Sequence, residues 1–226
     1  MFLASFPSGA FDANCYLVAA EGTTECVVID AGQDAFDTIV ELCREHGLTP
    51  AAVVATHGHL DHVADAAAVG EHWQVPCWIH PGDRGLLADP LSGLGPQLAP
   101  MVAPFLAAHG DVLPTTVAEL TAGERVAVAG VGLTVVEAPG HTPGSVVLTL
   151  DVPTEPNTPP VAFTGDVVFA GSVGRTDLPG GDPATMAATL ARLVAELDPA
   201  TVLLPGHGPR TTLADEIRRN PHLPSA

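Results

Sequence analysis

The segment THGHLDH (residues 56–62) is the most informative part of this chain. It directly follows an apolar run, AAVVA (51–55), and directly precedes a helical pattern at 62–72. An apolar run of that length followed by helical periodicity predicts a buried strand, a turn and a helix. Three histidines and one aspartate crowded into such a turn add little to stability, so their presence predicts a metal site.

The spacing within this turn allows it to serve two metal ions. His57 and His59 are two residues apart, so they can point the same way at the end of a strand. Asp61 and His62 then follow the first turn of the helix toward a second point nearby. Imidazole and carboxylate ligands together suit zinc, and they are also compatible with iron or manganese.

Three later strand ends each offer one further ligand: His141 in APGHTPGS, Asp166 in FTGDVVF and His207 in LPGHGP. Glycine flanks all three, and the absence of a Cβ lets the backbone approach a metal closely. Together with the residues of 57–62 they make seven candidate ligands. That number is enough for two cations that share a bridging carboxylate and a bridging water. The remaining histidines are interpreted as ordinary surface or core residues: His46, His72, His80, His109 and His222.

The composition excludes several classes of partner. The formal charge is −18, from 26 acidic residues against 8 arginines and no lysine, which opposes binding to nucleic acid or an anionic membrane. We find no basic leader and no apolar run long enough to span a membrane, so we expect a cytoplasmic protein. Four widely spaced cysteines in apolar contexts are typical of reduced, buried thiols.

The order of the predicted elements indicates a single α/β domain over 1–226. Strands that end in polar residues alternate with helical patterns, while three successive β-rich segments with tight turns predict an antiparallel portion of the sheet. Residues 90–116 form an excursion that could be a lid, a substrate wall, a subunit contact or an ordered insertion without a chemical role. Residues 153–160 form a proline-rich loop. The strands are predicted near 26–32, 51–59, 125–130, 132–137, 145–150, 161–166 and 201–208, with 132–137 overlapping the run 133–141 that ends in His141. The helices are predicted near 34–46, 62–72, 184–196 and 211–219.

The motifs THGHLDH, PGHTPGS, TGDVVF and PGHGP, in that order, resemble those of the metallo-β-lactamase superfamily. The resemblance implies an αββα four-layer sandwich of two mixed β-sheets flanked by helices, with two divalent cations at one edge. Zinc is the first expectation, with iron or manganese as alternatives. By position in the motifs, the first metal would be held by His57, His59 and His141 and the second by Asp61, His62 and His207, with Asp166 bridging.

The segment GDVVFAGSVGRTDL (165–178) resembles the glyoxalase II group, especially its short single-domain members. That resemblance implies hydrolysis of small-molecule thioesters, such as S-lactoyl derivatives of glutathione or another low-molecular-weight thiol. A metal-bridging hydroxide would attack the carbonyl, and Asp61 would help to hold or deprotonate that water. Arg175 matches the basic position that contacts the carboxylate of the thiol carrier, although an ion pair with Asp177 is an equally plain role for it.

Other functions remain open at this point. The runner-up is a persulfide dioxygenase with one iron held by His57, His141 and Asp166. A lactonase or another hydrolase of this fold, and a domain that binds without catalysis, are the lesser alternatives. A β-lactamase is disfavoured because such enzymes generally do not use aspartate at the bridging position, and a tRNA-processing nuclease is disfavoured by the charge.

Overall fold

Two six-stranded sheets make up the centre of the protein. The structure is a computed structural model that describes residues 1–110, 112–151 and 158–224. The first sheet has the strand order β1-β2-β3-β4-β5-β6 and the second has the order β12-β11-β10-β9-β8-β7. The strands are β1 (Phe2–Ser8), β2 (Ala13–Ala19), β3 (Glu25–Ile29), β4 (Thr49–Val54), β5 (Cys77–Ile79), β6 (Val117–Glu119), β7 (Arg125–Val128), β8 (Val131–Glu137), β9 (Val146–Leu150), β10 (Val161–Gly165), β11 (Val202–Pro205) and β12 (Thr211–Thr212).

Within the part of the chain that the structure describes, seven α-helices accompany the sheets. Two of them lie in the segment between β4 and β5, two between β5 and β6, and the last one follows β12. Short 3-10 turns occur at Pro81–Asp83 and Pro90–Gly93. The helices are α1 (Phe36–His46), α2 (Leu60–Val63), α3 (Ala66–Trp73), α4 (Arg84–Ala88), α5 (Gly95–His109), α6 (Pro183–Glu196) and α7 (Leu213–Arg219).

The inner faces of the two sheets pack against each other, and helices cover their outer faces. Ile29 of the first sheet and Phe163 of the second belong to the same fully buried cluster between the sheets. A second cluster packs the first sheet against α1 and α3 through residues such as Ile39 and Val69. A third packs the second sheet against α6 and α7. The predicted αββα sandwich is therefore confirmed.

Both sheets are mixed, as expected. β3 to β6 pair in parallel, while β1, β2 and β3 pair antiparallel. In the second sheet β7, β8, β9 and β10 form successive antiparallel pairs, which confirms the antiparallel arrangement predicted for 125–150. Among the described residues, no helix is both long and apolar enough to cross a membrane. All four cysteines are buried and free of disulfide bonds.

The structure corrects two predicted helices and adds detail to two loops. The helix predicted over 62–72 is interrupted at Asp65, so α2 and α3 replace it, and α2 begins at Leu60. The helix predicted from 211 begins at Leu213, because Thr212 caps it by accepting a hydrogen bond from the Asp215 amide. The excursion at 90–116 contains a 3-10 turn and α5, and most of the proline-rich loop at 153–160 lies outside the described residues.

Strand β2 of the first sheet is hydrogen-bonded to the end of β11 in the second sheet and to the segment that follows it. The Asn14 side-chain amide donates to the carbonyls of Pro205 and Gly208, each at 2.9 Å. The buried Tyr16 hydroxyl donates to the Pro205 carbonyl at 2.6 Å. These bonds fix the position of the loop that carries His207.

Tyr16 gives a direct optical test of this packing, since it is the only tyrosine. Burial, together with the negative charge of Asp30, raises the pKa of Tyr16 above its usual value of about 10. The folded protein therefore favours the neutral phenol, and this contribution to stability is complete below pH ~10 and is lost as the pH rises further. In an alkaline titration, tyrosinate absorbance is expected to appear only together with unfolding measured by circular dichroism. A tyrosinate signal near pH 10 in folded protein would contradict the buried hydrogen bond.

Candidate metal centre

The seven candidate ligands converge at one edge of the two sheets. His57 and His59 follow β4, Asp61 and His62 lie in α2, and Asp166 follows β10. His141 lies between β8 and β9, and His207 follows β11. They form three groups of three residues. Within each group, one possible ligand atom from each residue lies within 4.8 Å of the other two. The groups are His57, His59 and His141; His57, His62 and Asp166; and Asp61, His62 and His207.

The two groups without Asp166 match the two ligand sets expected from the motifs. Within one, Nδ1 of His59 lies 2.8 Å from Nε2 of His141. Within the other, Nε2 of His207 lies 3.2 Å from Nε2 of His62 and 3.3 Å from Oδ2 of Asp61. Loops at the ends of strands from both sheets therefore supply side chains to these two neighbouring groups of candidate ligands.

Asp166 lies between the two sets. Its Oδ2 is 3.6 Å from Nε2 of His141 and also 3.6 Å from Nε2 of His207. Its Oδ1 is 3.3 Å from Nε2 of His62. One carboxylate thus faces imidazoles of both groups, which is the geometry that a bridging ligand requires.

Hydrogen bonds outside the cluster assign the tautomers of two histidines. Nδ1 of His141 donates to the carbonyl of Arg175 at 2.7 Å, and Nδ1 of His207 donates to the carbonyl of Phe11 at 3.0 Å. A carbonyl can only accept, so the proton of each neutral ring is on Nδ1. The Nε2 atom of each ring then presents a lone pair to the cluster, as a metal ligand must.

Asp30 orients two further histidines, and the sequence analysis did not identify it. The Asp30 carboxylate accepts hydrogen bonds from the Thr56 amide and hydroxyl, each at 2.8 Å, and Nδ1 of His62 donates to it at 3.0 Å. Because the Thr56 hydroxyl donates to Asp30, it can accept from Nδ1 of His57, 3.2 Å away. The available signal was the end of the strand in CVVID, where an aspartate follows four apolar residues.

The electrostatics of the cluster favour a cation. Burial lowers the pKa of His57 well below its ordinary value, and the neighbouring imidazoles lower it further, so this ring is neutral. Burial also lowers the pKa of His62, but Asp166 and Asp61 outweigh it and raise that pKa well above the ordinary value. The cluster therefore demands positive charge beside Nε2 of His62.

Unpartnered atoms within the cluster support the same conclusion. Nε2 of His57, Nε2 of His59 and Oδ1 of Asp166 are buried without a hydrogen-bond partner among the described residues. Buried polar atoms without partners are costly, and nearly all such atoms in proteins are paired. Burial raises the pKa of Asp166, but the surrounding imidazoles outweigh it and keep that carboxylate ionised. A mixed imidazole and carboxylate set of this kind fits divalent metal ions.

Close packing requires glycine next to His207. A Cβ at Gly206 would overlap Oδ1 of Asp166 and lie 2.7 Å from Cε1 of His62. The backbone of this segment therefore approaches two candidate ligands more closely than any side chain permits, as the flanking glycines led us to expect.

Asp83 connects the two ligand-bearing loops, and it is a second residue that the sequence analysis missed. It is fully buried and accepts from the Gly58 amide at 2.9 Å, which lies between His57 and His59. It also accepts from the Thr142 hydroxyl at 2.6 Å and the Gly144 amide at 2.7 Å, which lie just after His141. In sequence, the motif HPGDRG (80–85) looks like an ordinary turn, so nothing local marks this carboxylate as part of the site.

Arg175 lies near the site but is engaged in an ion pair. Its guanidinium donates to both carboxylate oxygens of Asp177, at 2.7 and 2.8 Å, and the two side chains are largely exposed. This contact lowers the pKa of Asp177 to about 2. The backbone carbonyl of Arg175, rather than its side chain, contacts the candidate ligand His141.

The other five histidines lie outside the three close groups of the described residues. His109, for example, pairs with the Asp65 carboxylate at 2.9 Å and joins the end of α5 to the body of the protein. Nε2 of His80 lies 3.6 Å from Oε1 of Glu137.

Comparison with known proteins identifies relatives that match nearly the whole chain. A family model described as "Metallo-beta-lactamase superfamily" matches residues 8–207. An uncharacterized protein of Mycobacterium tuberculosis is 39% identical over 99% of this chain and 98% of its own length. The hydroxyacylglutathione hydrolase GloC of Haemophilus influenzae is 31% identical over 97% of this chain and 96% of its own length.

Solved structures show the same architecture. The B3 metallo-β-lactamase BLEG-1 superposes with a TM-score of 0.80 at 29% identity, covering 99% of this chain and 100% of that one. The protein TTHA1623, crystallised in a di-iron-bound form, superposes with a TM-score of 0.76 at 35% identity, covering 97% of this chain and 100% of that one.

Replacing Asp83 tests whether it positions the ligand loops. Asp83→Ala leaves two backbone amides and one hydroxyl without their acceptor, so we expect a loss of about 2–4 kcal/mol in the free energy of unfolding. We also expect a lower metal content after dialysis, since His57, His59 and His141 lose their common support. Chemical denaturation and elemental analysis measure the two effects.

The matched control for this change is Asp89→Ala, which removes an exposed aspartate in the same part of the chain. It is expected to leave both quantities unchanged. Full metal content and wild-type stability in Asp83→Ala would refute the positioning role.

Proposed function

Because this chain belongs to the metallo-β-lactamase superfamily, we propose that it is a binuclear metallohydrolase that cleaves small-molecule thioesters. The observation that carries the proposal is the position of Asp166 between two groups of histidines. Membership of the superfamily implies a metal-dependent hydrolase. The binuclear state, the thioester substrate and the roles of individual residues are the parts that we propose.

We assign the two cation positions from the close groups. His57, His59 and His141 would hold one cation, Asp61, His62 and His207 the other, and Asp166 would bridge them. When bound, such cations would polarise a carbonyl and lower the pKa of a water molecule from its value in bulk water to about 7. Zinc is our first assignment, and the di-iron form of a protein 35% identical to this chain keeps iron as an alternative beside manganese.

Asp61 is the proposed proton acceptor. Burial raises its pKa, but His62 and His207 outweigh burial and lower that pKa below the usual value, so the carboxylate is ionised at neutral pH. Its side chain is 23% exposed, whereas that of His62 is fully buried. Asp61 can therefore contact both the ligand set and a water or substrate that enters from outside.

Thioester hydrolysis suits this site because the reaction needs no strong acid to protonate the leaving group. A thiolate is a good leaving group because the pKa of a thiol is about 8.5, so departure needs no strong acid. The same kind of substrate is in the name of GloC, which matches this chain along nearly its whole length. The charge of −18 favours a small-molecule substrate over nucleic acid or an anionic membrane surface.

Arg175 is the proposed contact for the thiol carrier. It lines a cleft of about 430 Å³ together with residues 94–98 and 177–179. In the substrate complex a carboxylate of the carrier would compete with Asp177 for the guanidinium.

A persulfide dioxygenase is the runner-up. It would require one iron on His57, His141 and Asp166, leaving the close group of Asp61, His62 and His207 without a role. That second group favours the hydrolase.

A substrate panel with metal analysis tests the proposal. Purified protein would be assayed with S-lactoyl and other acyl thioesters of several small thiols, alongside oxyesters, lactones, a β-lactam and a phosphodiester. We expect two metal ions per chain and turnover of thioesters. A protein with one iron that consumes oxygen when given a persulfide would disprove the proposal, as would a metal-replete protein inert toward every thioester.

Asp166→Ala tests the bridging assignment. We expect it to lose metal and to lower kcat/KM for the best thioester at least about a hundredfold, because both cation positions lose a ligand. Asp89→Ala serves again as the control and is expected to behave like wild type. Full turnover in Asp166→Ala would contradict the assignment.

Arg175→Ala tests the contact with the carrier. We expect KM to rise about threefold to tenfold with little change in kcat, since an exposed charge contact contributes only modestly. The matched control is Arg125→Ala, which removes an exposed arginine paired with Asp151 in the second sheet. Equal KM values for wild type and both variants would exclude the role of Arg175.

A further inference from the structure

An apolar cleft of about 330 Å³ opens beside the metal centre. Helix α5 of the 90–116 excursion and the turn between β1 and β2 both contribute to its walls. Its lining includes Phe11, Asp61, Leu98, Met101, Val102 and Phe105.

The cleft is continuous with the candidate ligands. Asp61 lines it and also belongs to the close group with His62 and His207. Phe11 lines it as well, and its backbone carbonyl accepts the hydrogen bond from Nδ1 of His207. A group bound in the cleft would therefore lie next to the reacting position.

The cleft is suited to an uncharged apolar group. The polar side chains among its described lining residues are those of Gln33 and Asp61, and no lysine or arginine is present there. Two large apolar side chains on its walls are strongly exposed, Met101 at 75% and Phe11 at 61%. Large apolar side chains exposed around a concave site are typical of a surface that a ligand covers.

Helix α5 lines the cleft and contributes little to the hydrophobic core. Val102, Phe105 and Leu106 pack on Leu60 and Ala64, which joins the helix to α2 beside the site. None of the 15 residues of α5, all of them described, is buried. Substitutions on its open side can therefore change the cleft without removing core packing.

We propose that this cleft binds the acyl group of the thioester substrate, and that this acyl group is an uncharged aliphatic chain or ring of moderate size. This inference rests on the proposed hydrolysis, in which the water oxygen forms a bond to the acyl carbon, the carbon–sulfur bond breaks, and a carboxylic acid and a thiol leave. The cleft volume is close to the lower limit of about 300 Å³ for small-molecule pockets, so it suits part of a substrate.

The neighbouring cleft explains why the acyl group, and not the thiol carrier, is assigned here. The two clefts share Leu94 and Leu98, and the neighbouring one contains Arg175 and Asp177. Low-molecular-weight thiol carriers with charged groups fit the cleft that offers Arg175, which leaves the cleft without a basic residue for the acyl chain.

A homologous acyl series tests the assignment. Acetyl, butanoyl and hexanoyl thioesters of one uncharged thiol would be compared in the metal-loaded protein. We expect kcat/KM to rise roughly twofold to fourfold per added methylene while the chain stays within the cleft. Leu98→Asp is expected to abolish this dependence, whereas Leu3→Asp, at an exposed leucine of β1, is expected to keep it.

Binding of straight-chain ketones, in which a methylene replaces the thioester sulfur, gives a readout independent of turnover. Calorimetry with metal-loaded protein should show affinity that rises with the length of the acyl-side chain in wild type and Leu3→Asp but not in Leu98→Asp. That result would support the cleft even if no thioester were hydrolysed, so failure of the two proposals can be distinguished. The same chain-length dependence in Leu98→Asp, none in wild type, or dependence on the thiol-side chain only would overturn the inference.

Discussion

Five imidazoles and two carboxylates come together at one edge of the sheets, and lone pairs brought together in a buried place repel one another unless positive charge lies between them. The rest of the architecture depends on meeting this demand. His62 shows it most clearly, since burial alone would keep this ring neutral while two carboxylates favour its charged form. The candidate ligands come from both sheets, so a cation held by them would also join the two halves of the sandwich.

Two buried carboxylates outside the ligand sets give the imidazoles their directions. Asp30 has a left-handed backbone conformation, with a φ of 56°, immediately after β3, and its carboxylate reaches Thr56 and His62. Asp83 joins the loop after β4 to the loop after β8. Each replaces a flexible turn with a fixed network of hydrogen bonds. The geometry of the candidate site thus depends in part on residues outside the seven candidate ligands.

Most of the fold and the seven candidate metal ligands could be predicted from the sequence, because the patterns that indicate them are local. Apolar runs that end in histidine or aspartate, with glycine beside them, mark strand ends wherever they occur. Asp30 and Asp83 were missed because one aspartate after a strand or in a turn has an ordinary local explanation, and their partners are 25 to 61 residues away in sequence. The break at Asp65 was missed for a similar reason: its carboxylate accepts a hydrogen bond from the Phe36 amide, a contact that no helical periodicity reveals. The apolar cleft depends on how α5 is placed relative to Phe11, which only the folded chain defines.

Helix α5 has two internal prolines and no buried residue, and its packing rests on one side. A segment of this kind opens by local fluctuation at a free energy well below that of global unfolding. A group bound in the cleft would therefore enter and leave while the sheets and the candidate metal ligands stay in place. Substitutions on α5 would change the lining of the cleft without disturbing the packing that holds the two sheets together, because the helix packs on a cluster separate from the one between the sheets.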